Sequence, residues 1–76
     1  MNNFRRKALS TLRDTIEDAK SALEALKDEE QEYYDNLPEN LTGGEKASVA
    51  ENAISMLDDA IDSLETAVTS IDEAQA

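Results

Sequence analysis

Apolar residues in the second half of the chain recur with a period of three and a half. Ala53 to Ala74 reads AISMLDD, AIDSLET, AVTSIDE and a final Ala, three tandem heptads. Ile54, Ile61 and Val68 share one seam position, a, and Leu57, Leu64 and Ile71 share the other, d. That spacing places all six on one stripe of a helix with coiled-coil character. The first half carries a second seam: Leu9, Ile16 and Leu23 at a, Leu12, Ala19 and Leu26 at d. The pattern predicts helix 1 over about residues 3–34, capped by Asn2 or Asn3, and helix 2 over about 44–73.

Between them the periodicity breaks. Residues 35–43 form the junction, and the only Pro and both Gly lie at this break. Pro38 pushes Leu37 away from helical backbone and suits the first position of a new turn. Thr42-Gly43-Gly44-Glu45 has the form of a capping box, with Thr42 as N-cap and Glu45 three residues on. Two helices of equal length, each on the order of 45 Å, joined by a short connection fold back antiparallel. The expected fold is therefore all-α, one helical-hairpin domain over residues 1–76.

Facing residues in an antiparallel pair have a constant index sum. Pairing Leu9 with Ile71, Leu12 with Val68, Ile16 with Leu64, Ala19 with Ile61, Leu23 with Leu57 and Leu26 with Ile54 gives 80 throughout. On one flank, Arg6, Arg13, Lys20 and Lys27 occupy e on helix 1, and Asp72, Glu65, Asp58 and Glu51 occupy e on helix 2. Matched in that order they give 78, and cation meets carboxylate at every rung. Both patterns predict this one register.

The opposite flank is small and uncharged at three of four g positions on helix 1, Glu29 being the fourth, and at all four on helix 2. Helix 2 carries Ala53, Ala60, Ala67 and Ala74 at g, and helix 1 carries Ala8 and Ala22 there, with Phe4, Ala25, Val49 and Met56 beside them. A two-helix hairpin cannot enclose its own seam, and chains this small need a further staple. Small side chains let another helix approach closely, so these alanines are the expected dimer interface of a four-helix bundle. Near the junction, Tyr33 falls on the d stripe and is expected to close the core, leaving Tyr34 more exposed. Tyr34, Leu37, Pro38 and Leu41 are the candidate partner-binding residues, because loops held by a rigid scaffold are where binding residues concentrate.

Charge narrows the function classes. Eighteen acids against seven bases leave a net charge of −11, yet residues 1–13 hold Arg5, Arg6, Lys7 and Arg13 with no acid. The acidic bulk makes direct nucleic-acid binding unexpected. The basic cluster is expected to lie beside Asp72, Glu73 and the terminal carboxylate of helix 2. Without Cys or His there is no disulfide, no thiolate ligand and no imidazole base. The run Asp58-Asp59-Ala60-Ile61-Asp62 lacks the alternating ligands and glycine of a calcium loop. The hydroxyls have no base beside them, so no catalytic residue, metal or cofactor is assigned and an enzyme is not expected. No apolar run is long enough to cross a membrane, and the amino terminus lacks the apolar core of a signal peptide, so a cytoplasmic setting is expected.

The segment Glu32-Tyr33-Tyr34-Asp35-Asn36-Leu37-Pro38-Glu39-Asn40-Leu41, followed by the Ala/Ile/Leu heptads, resembles small acidic helical-hairpin proteins of Gram-positive gut bacteria and their prophages. The specific part of the likeness is Asp-Asn-Leu-Pro-Glu-Asn-Leu. The resemblance implies a hairpin in a phage-like context and no catalytic residue. Two functional expectations follow. One is a structural or adaptor protein that self-associates and binds a protein partner. The other is an acidic mimic of nucleic acid that blocks a nucleic-acid-binding protein.

Overall fold

The computed structural model describes all 76 residues. Helix α1 spans Asn3–Asp35, a 3-10 turn covers Glu39–Leu41, and helix α2 spans Glu45–Gln75. The two helices pack antiparallel, and the 3-10 turn rests on α2. Asn2 caps α1, its side-chain oxygen accepting from the Arg5 backbone N–H at 2.8 Å. The start of α2 differs from the capping box. Gly44 is the N-cap and offers no side chain, while the Thr42 hydroxyl donates to the Glu39 carbonyl at 2.8 Å. Thr42 closes the 3-10 turn with its hydroxyl turned back to Glu39, and α2 takes its N-cap two residues later, at Gly44.

The register is one heptad away from the expected one. Arg13 pairs with Asp72 at 2.7 Å, Lys20 with Glu65 at 3.9 Å and Lys27 with Asp58 at 2.5 Å. Ser10 reaches Gln75 at 2.9 Å and Tyr34 reaches Glu51 at 2.6 Å on the same flank. Each of these five pairs has an index sum of 85 rather than 78, a slip of seven residues. Along the middle of the rod such a slip exchanges carboxylate for carboxylate, while at the ends Glu51 meets Tyr34 in place of Lys27 and Arg6 loses its expected partner. Residues 36–44 take up the difference, since α2 begins more than one turn beyond the end of α1. The deepest positions lie there, with Ala47 at 2 % and Ala50 at 0 % exposure.

At the far end the slip leaves α1 overhanging. Ser10 is level with Gln75, the last residue of α2, so the first two turns of α1 project past it. Arg5, Arg6 and Lys7 lie on this overhang and form no ion pair; Asp72, expected beside Arg6, is held by Arg13. The rod measures 59 × 14 × 13 Å, longer than either helix alone.

Candidate functional site

Burial is divided unequally between the helices. α1 has no buried residue, whereas α2 buries Ala47, Ala50, Ile61 and Val68. On α1 the half-covered positions are mainly a and e, among them Leu9, Ile16 and Leu23, and Arg6, Arg13, Lys20, Lys27 and Tyr34, with Glu17 and Gln31 at b beside them. The d positions of α1 point away from α2, with Leu12 55 %, Leu26 53 % and Tyr33 46 % exposed. α1 is thus rolled about its axis relative to a symmetric seam. Lysine and arginine stems pack along the interface while their charged ends reach the carboxylates.

This roll makes two unlike flanks. One is closed by the e-position ladder of three ion pairs, extended by Tyr34 and Ser10. Hydrogen bonding to Asp72 raises the Arg13 pKa, and hydrogen bonding to Asp58 raises that of Lys27. Tyr34 donates to Glu51, and that bond, followed by the carboxylate's charge, raises the phenol above its ordinary value. The other flank is open. Leu12, Leu26 and Tyr33 from α1 and Val49 and Met56 from α2 are all exposed on that side of the rod. Its deepest point is a shallow cleft of about 570 Å³ at the loop end, lined by Glu30, Tyr33, Glu45, Lys46, Val49 and Ala50.

The candidate interface alanines divide accordingly. Ala53, Ala60 and Ala67 are half-buried within the hairpin, while Ala8, Ala22 and Ala74 are exposed. Leu12, Leu26 and Tyr33 were assigned to the seam by their spacing, yet they form the larger apolar part of the open flank. The only cue in the sequence is that the first four e residues of helix 1, Arg6, Arg13, Lys20 and Lys27, have long cationic stems able to share the contact face.

Among the candidate partner-binding residues, Tyr34 is half-buried and held by Glu51, reversing the order expected for the tyrosine pair. Because e rather than d faces α2, Tyr33 turns outward. Leu37 is half-buried, Pro38 is exposed and Leu41 is 38 % exposed, all at the tip of the rod. No helix is long and apolar enough to cross a membrane. No group of three or more acidic side chains is gathered to hold a metal ion. Comparison of the chain with known protein families, curated proteins and solved structures finds no match, leaving the functional reading to the geometry.

Proposed function

We propose that this chain is a non-enzymatic structural or adaptor protein that pairs with a second copy through its open flank, giving a four-helix bundle, and presents its junction to a protein partner. The observation that carries this reading is surplus surface on a rod that leaves large apolar side chains exposed. The chain exposes 5483 Å², against about 4,600 Å² for a compact monomer of its mass. The difference of roughly 900 Å² is close to what one partner buries in a standard protein interface. Only four of 76 residues are buried, too small a core to offset the ordering of two long helices. The exposed side chains at Leu12, Leu26, Tyr33, Val49 and Met56 supply the missing core. Pro38 and Leu41 are exposed at the tip and fit the adaptor role.

Sedimentation equilibrium tests the reading. The wild-type protein is expected at about twice its 8.4 kDa chain mass at micromolar concentration. Leu26→Glu, which sets a charge in the new core, is expected to shift it to monomer or to unfold it. A helical wild-type monomer at high micromolar concentration overturns the proposal.

A further inference from the structure

The shape and charge of the hairpin also specify how two copies meet. We infer that they lie antiparallel across their open flanks, each basic overhang seated on the acidic loop end of the other. This rests on the self-association reading above and gives its geometry.

The exposed d stripe of α1 runs Arg5, Leu12, Ala19, Leu26, Tyr33. Laid antiparallel against itself, it matches Leu12 with the partner's Tyr33 and Ala19 with the partner's Leu26, so all four apolar positions are used. The same alignment brings Arg5 level with the 3-10 turn of the other copy. Charge selects this direction. Residues 1–13 carry Arg5, Arg6, Lys7 and Arg13 and no acid, whereas residues 28–45 carry Asp28, Glu29, Glu30, Glu32, Asp35, Glu39 and Glu45 and no base. A parallel pair would set cations on cations at one end and carboxylates on carboxylates at the other, a repulsion that disfavours it.

The two ends also complement each other in shape. The overhang presents Phe4, 83 % exposed, followed by cations without an ion-pair partner, and Arg6 Nε is covered yet donates to nothing. The loop-end cleft has Tyr33, Val49 and Ala50 as its apolar wall and, at its edge, the carboxylates Glu30 and Glu45 with one cation, Lys46. In this alignment Phe4 comes level with the partner's Leu41, which is 38 % exposed, for an apolar contact beyond the cleft, while the adjacent guanidinium groups meet the carboxylates of that end. The overhang exists only because of the one-heptad register, so the same slip that exposes Phe4 leaves it available to the other copy.

Cysteine crosslinking tests the arrangement cleanly, because the chain has no native Cys. Leu12→Cys and Tyr33→Cys proteins are mixed under mild oxidation, with circular dichroism confirming helix and sedimentation giving the mass of each. The antiparallel dimer predicts a Leu12→Cys/Tyr33→Cys heterodimer and little disulfide between like chains. A dimer whose Leu12→Cys chains join each other is parallel and overturns this inference while leaving self-association intact. A dimer with neither crosslink places the interface elsewhere and also overturns it, and a monomer overturns both readings. A second variant, Arg5→Glu/Arg6→Glu/Lys7→Glu, keeps the helix because acids suit a helix N-terminus. It is expected to weaken dimerisation about tenfold at low salt and less at high salt. Unchanged affinity at low salt shows that the overhang is not seated on the acidic end.

Discussion

The two flanks of this hairpin use the same pair of helices and reach opposite states. On the ladder flank, cationic stems of α1 pack over the interface and their ends meet the carboxylates of α2, leaving little unfinished. On the other flank, leucine, tyrosine, valine and methionine side chains stand in solvent beside half-buried alanines. A polar ladder fixes direction and pairing class but adds little stability, since exposed ion pairs contribute only ~0.2–1 kcal/mol at best. The larger exposed apolar side chains lie on the flank that the single chain leaves open, and on the proposed self-association that flank is one half of a core.

The largest expected effect breaks the closed interior. Ala47 is buried, at 2 % exposure, and does not line the open cleft, so Ala47→Leu overpacks the loop end and should destabilise the protein by about 1–3 kcal/mol. Urea unfolding followed by circular dichroism would read the lower midpoint. The equivalent enlargement on the open side, Ala22→Leu, adds area where the helix is exposed and should not lower the midpoint comparably. Equal losses at both sites would erase the distinction between flanks.

A smaller effect sharpens the ladder. Lys27→Asp should lower the thermal midpoint slightly by setting a carboxylate against Asp58, and the double variant Lys27→Asp/Asp58→Lys should recover most of it. Because the ladder supports one register among heptad-related alternatives, failure of the swap to restore stability would mean that Lys27 and Asp58 are not facing partners.

The smallest effect is a dependence on alkaline pH. Tyr34 has its folded pKa raised above the ordinary 10.0 by the bond to Glu51 and that group's charge. A raised folded value means that the bond's contribution is fully present below the unfolded pKa and is lost as pH rises through the folded one. Stability should therefore fall more steeply above about pH 10 in the wild type than in Tyr34→Phe. Matching slopes in chemical denaturation at alkaline pH would remove Tyr34 from the ladder.

Helix positions, their antiparallel pairing and the location of the junction were legible in the sequence because each has a local cause. Heptad spacing sets the stripes, Asn2 supplies a cap, and Pro38 with the two glycines marks the break. The register was not legible. Moving Lys20 from Asp58 to Glu65, or Lys27 from Glu51 to Asp58, exchanges one carboxylate for another, so a seven-residue repeat cannot choose between them. The roll of α1 was hidden for a related reason. Leu9, Ile16 and Leu23 at a look no different from Leu12 and Leu26 at d, and the choice depends on how cationic stems share the contact face. Thr42 misled because its hydroxyl turns back to Glu39 in a 3-10 turn and α2 takes its N-cap at Gly44. The open flank, and with it the proposed interface, became visible only once roll and register were known.

The most direct test of the half-core account is the reactivity of one cysteine on each flank, measured against protein concentration. Leu26→Cys sits on the open flank and Asp58→Cys on the exposed side of the ladder. With a maleimide probe, Leu26→Cys should be protected at high micromolar concentration and become reactive on dilution, while Asp58→Cys should react at a rate independent of concentration. If Leu26→Cys reacts equally fast at every concentration in a protein that remains helical, the open flank is not the missing half of a core and the account is wrong.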